Sequence, residues 1–151
     1  MTDTLTPAKR SYVMSRIRSE GTSVEITLYR VLRQILGEKF RIIRNVRGLP
    51  GKPDFLIPRL RLVILVHGCF YHACRLHGHI PKTHTRYWTL KLARNARRDK
   101  TNESRLRRLG FSVWTIWEHA LEGSRLEPTR FRLKRRFERM RDRRTKTKAA
   151  S

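Results

Sequence analysis

At 151 residues the chain suits a single domain that buries most of its apolar surface without disulfide staples. Its 36 Lys and Arg against 12 Asp and Glu give a formal charge of +24, which calls for a polyanion because self-repulsion of that size opposes compaction, and nucleic acid is the expected partner. No membrane role is expected: the longest apolar run, Leu62 to Val66, is far too short to span a bilayer, and M-T-D-T-L-T-P-A-K-R has no apolar leader core, so the chain is read as cytoplasmic and nucleoid-associated.

Residues 9–20 read as a helix with Val13, Met14 and Ile17 on one face and Lys9, Arg10, Arg16 and Arg18 around it, fit to lie against phosphates. A second helix opens at Thr22 and runs to about Leu36, with Val24, Leu28, Val31, Leu32 and Ile35 at helical spacing and Gly37 as its stop. Three strands are expected next, over 40–45, 54–57 and 61–66, the last being the continuous apolar run of a central strand. A polar segment, 75–85, leads to a helix from Tyr87 to Leu109 that stops at Gly110, and F-S-V-W-T-I-W then alternates as a strand. This order implies an α/β sandwich with a mixed central sheet, its core over 22–120. Residues 129–148 hold eleven basic and two acidic residues; a basic helix is expected over 128–142, closing a single domain of residues 1–142, 143–151 reads as a basic, disordered tail, and the basic stretch after Thr129 as a whole is read as adding nonspecific DNA affinity.

The densest chemistry lies at 67–77, H-G-C-F-Y-H-A-C-R-L-H. Two cysteines separated only by F-Y-H-A make a poor disulfide scaffold, but Cys69, Cys74 and His77 suit tetrahedral Zn²⁺. The fourth ligand is either His79, two residues on, or His119 after the last strand; His119 is preferred, because it ties the loop to the sheet edge. Four protein ligands make a structural site and leave catalysis to another metal. Asp54, in L-P-G-K-P-D-F at a strand start, is the first candidate ligand for Mg²⁺, a hard cation that takes oxygen donors while it binds phosphate. His67 and His72 flank the first cysteine and can take a proton from attacking water or orient it; His72 as a zinc ligand is the alternative. Glu25 completes a T-S-V-E capping box with Thr22, which by itself accounts for the residue.

The ordered set L-P-G-K-P-D-F, V-H-G-C-F-Y-H, R-Y-W, N-A-R-R-D and W-E-H resembles the very-short-patch-repair endonucleases of bacteria, over nearly the whole chain. The resemblance implies a restriction-endonuclease-like, three-layer fold and a Mg²⁺-dependent nick in one strand of double-stranded DNA at a T:G mismatch, left when 5-methylcytosine deaminates. By motif it implies that Asp54 binds Mg²⁺ with the main-chain carbonyl of Val66, that His72 is the general base, and that His67 and Glu25 assist. It further implies that Phe70, Tyr71 and Trp88 wedge into the duplex beside the mismatch, and that the N-terminal helix grips DNA through Lys9, Arg10 and Arg16. Mismatch-repair proteins are candidate partners, and a monomer is expected because one strand is cut. Tyr71 stands where the family usually has Trp, and His119 where many members have Cys, which leaves a Cys2His2 set. The strand Glu and Lys of other nucleases are absent, with Val66 and His67 near their places.

Overall fold

The computed structural model describes residues 6, 8, 9, 12 and 21–149, with side chains to 143. The basic helix expected over 9–20 lies outside the described residues except for Lys9 and Tyr12, and Arg10 and Arg16 lie outside with it. Helix α1, Ser23–Leu36, begins at the expected capping box: Thr22 Oγ1 accepts the Glu25 N–H at 3.3 Å while Glu25 reaches back to the Thr22 N–H. It ends where Gly37, at φ 61, turns the chain left-handed and donates its N–H to the Arg33 carbonyl.

Four strands follow in spatial order β1 (Ile43–Arg44), β2 (Phe55–Ile57), β3 (Leu62–His67) and β4 (Ser112–Trp117). The first three pair antiparallel, and β4 pairs parallel to β3 with Val63 opposite Val113 and His67 opposite Trp117. Helix α2, Thr85–Arg108, makes the crossover between the parallel strands, and helix α3, Leu126–Ala149, follows β4 through two short 3-10 turns. Strand alternation sorts the core into two halves. Phe55, Ile57, Leu62, Ile64, Trp114 and Ile116 pack with Leu28 and Leu32 of α1 and with Leu133 and Phe137 of α3. Val63, Leu65 and Val113 face the other way, onto Leu106 of α2. The sheet is therefore the middle of three layers.

Several boundaries differ from expectation. The strand expected over 40–45 pairs only at Ile43 and Arg44, because the Phe40 carbonyl is taken by the Arg33 guanidinium at 3.0 Å rather than by a ladder. β3 starts one residue late, since Arg61 has φ 46 and closes the 3-10 turn Pro58–Leu60; its guanidinium then holds the carbonyls of Leu109 and Gly110 at the end of α2. Helix α2 starts two residues before Tyr87. Helix α3 starts at Leu126 and continues to Ala149, past the boundary expected at 142 and into the segment read as disordered, anchored by the burial of Leu133 and Phe137 in its first half. Among the described residues no helix is long and apolar enough to cross a membrane.

Candidate active site and metal centre

Because β3 and β4 are parallel, their carboxyl ends come out side by side, and the edge of the Trp117 ring meets the His67 ring at 5.3 Å. The loop after β3 and the turn after β4 leave from this one end of the sheet, so residues 67–77 and 118–119 are brought together although Cys69 and His119 are 50 residues apart in the chain.

Asp54 stands just before β2. Its neighbour Phe55 pairs with Ile64, so β3 runs on past the start of β2, and the Val66 N–H on that side donates to Asp54 Oδ2 at 2.6 Å. A strand residue turns its N–H and C=O to the same neighbour, so the Val66 carbonyl faces the Asp54 side as well. Burial raises the Asp54 carboxyl to about 6, against the Val66 hydrogen bond, with the charge of Glu25 adding to the rise. Glu25 itself is buried, and its carboxylate is occupied by the Gly21 N–H at 2.9 Å and the Thr22 hydroxyl at 2.8 Å. Its influence on Asp54 is therefore that of a fixed negative charge held by the capping box.

His67, the last residue of β3, stacks on His72 with centroids 4.0 Å apart and planes 8° from parallel. His72 Nδ1 lies 2.5 Å from Asp99 Oδ2 on α2. A carboxylate only accepts, so Nδ1 carries the proton and Nε2 is left as the acceptor that a general base needs. Burial first, and then the neighbouring His72, lowers His67 to about 4, which keeps that ring neutral. Asp99 was not singled out from the sequence beyond its place in N-A-R-R-D. The signal that finds it is helical periodicity: Trp88, Leu92, Asn95, Asp99 and Leu106 form one stripe, so an acid on that stripe faces the sheet.

The second cluster interleaves with the first along the chain. The ligand atoms of Cys69, Cys74, His77 and His119 all lie within 4.8 Å of one another. Cys69 Sγ is 3.1 Å and Cys74 Sγ 3.5 Å from His119 Nδ1, and Cys74 Sγ is 3.9 Å from His77 Nδ1. Ligands about 2.0–2.3 Å from a tetrahedral cation sit roughly 3.3–3.8 Å apart, so this donor set is close to closing around one soft or borderline cation. His79 is elsewhere, its ring 5.4 Å from that of Phe70. Arg125 donates to His77 Nε2 at 3.2 Å, which leaves the His77 proton on Nδ1 facing Cys74. Burial pushes the Cys74 thiol up, but hydrogen bonds from His77, Leu76 and Cys69 outweigh it and bring the thiol down to about 7. A bound cation takes the place of the thiol proton. Burial raises Cys69, whose N–H is held by Glu118 Oε2 at 2.9 Å. Gly78 lets the loop close, since a Cβ there would come within 2.4 Å of the Cys74 carbonyl oxygen.

The three candidate wedge aromatics are adjacent: Phe70 meets the ring of Tyr71 at 5.1 Å and that of Trp88 at 5.0 Å. Trp88 is only 3% exposed and lies beneath Phe70, with Lys91 Nζ 5.2 Å from its ring, so it backs the wedge rather than projecting from it. Asn95 holds the Tyr71 carbonyl at 3.1 Å. Lys9 is exposed, and its N–H donates to Thr6 Oγ1.

Residues 2–77 match the family model described as DNA mismatch endonuclease Vsr. The chain is 39% identical over 124 residues to the type II nicking enzyme V.NmeAIP of Neisseria meningitidis serogroup A, covering 81% of this chain and 86% of that one. It is 41% identical to the type II nicking enzyme V.XorIIP of Xanthomonas oryzae pv. oryzae, covering 78% and 85%. Against the DNA mismatch endonuclease Vsr of Escherichia coli strain K12 it is 38% identical, with coverage of 82% and 78%. With half the chain inside the family model and about four-fifths aligned to each of these relatives, the chain belongs to the Vsr family of DNA mismatch endonucleases.

Proposed function

We propose that this chain is a DNA mismatch endonuclease that nicks one strand at a T:G mismatch arising from 5-methylcytosine deamination, by Mg²⁺-dependent phosphodiester hydrolysis. The observation that carries the reading is the stacked His67–His72 pair, braced by Asp99, one residue beyond the Val66 amide that Asp54 holds. Family membership and the names of the relatives support it.

Asp54 and the Val66 carbonyl offer hard oxygen donors, which fits Mg²⁺, an ion held by few protein ligands with the substrate phosphate completing its shell. When bound, Mg²⁺ supplies positive charge against the scissile phosphate and lowers the pKa of attacking water. His72 Nε2 takes the proton of that water, and Asp99 holds the ring in the tautomer that can accept it. His67, kept neutral, fixes the plane of His72 by stacking. Glu25 assists as a fixed charge behind Asp54. Cys69, Cys74, His77 and His119 hold a structural Zn²⁺ that pins the loop carrying Phe70, Tyr71 and His72. Phe70 and Tyr71, backed by Trp88, unstack the mismatched step, which costs least where pairing is already weak. Lys9, Arg10 and Arg16 contact phosphates. The enzyme acts as a monomer in the cytoplasm, on the nucleoid, with mismatch-repair proteins as partners.

Strand-resolved cleavage of two otherwise identical duplexes, one with a T:G mismatch and one fully paired, in Mg²⁺ or in EDTA, tests this. A metal-dependent nick confined to the mismatched duplex is expected. Equal cutting of both sinks the mismatch specificity, and binding with no cut at all sinks the enzyme.

A further inference from the structure

The hairpin between β1 and β2 brings a cation to the catalytic end of the sheet. Its ladder runs on past Arg44 and Phe55, for the Asn45 N–H donates to the Asp54 carbonyl and the Val46 N–H to that of Pro53, both at 2.9 Å. At the tip the Lys52 N–H donates to the Leu49 carbonyl at 3.1 Å, and Pro50 with Gly51, at φ 75, takes the central places of a type II turn. The register of β2 on β3 sets Phe55 opposite Ile64, and counting outward along both strands puts Lys52 level with His67.

Lys52 has φ 46, a region that strains any residue with a Cβ, and Pro53 behind it favours an extended residue in its place. The tip is held in that conformation by its surroundings. Leu49 packs on the core half that contains Val63 and Leu106, Pro53 is fully buried, and Gly51 lies so near α2 that a Cβ would come within 3.0 Å of the Asn102 side chain. Glycine would satisfy the backbone at 52 without strain, so what the lysine contributes there is its side chain. Yet Lys52 is exposed, and among the described residues its ammonium makes no hydrogen bond, ion pair or ring contact. The contrast is with Asn45, a type that takes positive φ readily, and with Arg61, whose guanidinium holds the Leu109 and Gly110 carbonyls.

The catalytic end needs such a charge. Asp54, Glu25 and Asp99 are acidic, and the strand lysine of other nucleases is absent. Arg98 lies 4.0 Å from Asp99 Oδ1, behind His72 Nδ1 and so on the side of the ring away from the Nε2 that meets the water. The scissile phosphate brings a negative charge, and attack by water concentrates it on the nonbridging oxygens, where a fixed ammonium acts beside Mg²⁺.

We propose that Lys52 is a further catalytic residue, whose ammonium donates to a nonbridging oxygen of the scissile phosphate and replaces the missing strand lysine. It keeps its proton throughout, and the proton of the water goes to His72. The inference rests on the reading of Asp54 as the Mg²⁺ ligand of a nicking enzyme.

Variants of the full chain test it, each scored by Tm, by affinity for a T:G duplex in EDTA, and by single-turnover nicking of that duplex in saturating Mg²⁺. Lys52→Gly should raise Tm by about 2 to 4 °C, the relieved strain being set against the freedom that glycine adds to the unfolded chain. It should also nick about two decades more slowly, the effect of one lost transition-state donor, with affinity within about fivefold of native because other phosphate contacts remain. Lys52→Met, which keeps the stem and loses the charge, should show the same rate loss at native Tm, and Lys52→Arg should recover most of it. A merely structural lysine would move Tm and rate together. The proposal is overturned if Lys52→Gly or Lys52→Met nicks at close to the native rate, if Lys52→Gly lowers Tm as it slows the nick, or if Lys52→Arg is as slow as Lys52→Met. A native chain that nicks nothing would sink the reading beneath the inference, whereas native nicking with unimpaired Lys52 variants would sink the inference alone.

Discussion

Residues 67, 69, 72, 74 and 77 form one short run, yet they serve two different clusters. His67 and His72 turn to Asp99 on α2, whereas Cys69, Cys74 and His77 turn to His119 after β4. The imidazoles of His72 and His77 are chemically the same; what differs is the group that meets Nδ1, a carboxylate at 2.5 Å in one case and a thiol sulfur at 3.9 Å in the other. The first arrangement leaves a ring nitrogen ready to take a proton, and the second sets the imidazole beside a thiol whose proton a cation can displace. Partners delivered by distant elements therefore decide which job each histidine does, and the spacing inside the run does not.

The sharpest way to break this division is at His72. Replacing it with Ala should lower the nicking rate by about two to four decades, with bound zinc and DNA affinity little changed. Loss of zinc in His72→Ala would merge the two clusters into one. Asp99→Asn is the companion: its amide keeps the shape but no longer holds Nδ1–H as a carboxylate does, and a fall of about two decades in single-turnover rate, again at full zinc content, is expected.

Attacking the other cluster should show the opposite pattern, with stability moving first. Cys74→Ser, or a strong chelator, removes a ligand set that binds only the folded chain. At a free metal concentration a thousandfold above Kd such a site contributes about 4 kcal/mol. For a domain of this size the expected fall in Tm is roughly 10 °C, read by calorimetry beside metal analysis. An unchanged Tm after the metal is stripped would leave the cluster without a structural role.

A third prediction sharpens the contrast by pH. Folding raises the Asp54 carboxyl from 3.8 to about 6, so the folded chain binds that proton more tightly than the unfolded chain does. Stability contributed by this group is thus greatest below about pH 4 and is lost as pH rises through 6; above that, the ionised carboxylate is a net cost to folding. Asp54→Asn should therefore stabilise the protein by about 2 kcal/mol at pH 8 and by nothing at pH 4, while abolishing the nick. Equal stability of the variant and native chains at pH 8, by denaturant unfolding without added Mg²⁺, would overturn it.

How much of this was legible beforehand follows from what each element depends on. Periodicity and caps are local, and they placed α1 from Thr22 to Gly37, the apolar β3 and the alternating β4 to within a residue or two. The convergence of Cys69, Cys74 and His77 with His119 was expected from ligand chemistry, and the parallel pairing of β3 and β4 supplies the route. Three things were not read from the sequence. Arg33 and Arg61 trim their strands through bonds to carbonyls in other segments, which no local pattern reveals. Asp99 sits in a run of basic residues and becomes visible only when its helical stripe is drawn. The burial of Trp88 depends on Phe70 folding over it, a contact between a loop and a helix.

The smallest expected effect is at His79, the other candidate for the fourth ligand. Its ring packs near Phe70 and lies outside the converging set, so the cluster closes without it. His79→Ala should keep one zinc per chain and shift stability by no more than about 0.5 kcal/mol, as an exposed substitution does. His119→Ala, by contrast, removes the nitrogen nearest both sulfurs and should release the metal. If the two variants lost metal equally, His79 would be exchanging with His119 as a ligand, and the loop would be held less firmly to the end of β4 than the hydrogen bond from Cys69 to Glu118 implies. Metal retained in one and lost in the other would place the boundary between the two clusters at the turn after β4, where His119 joins the thiols and Trp117 meets His67 only through its ring edge.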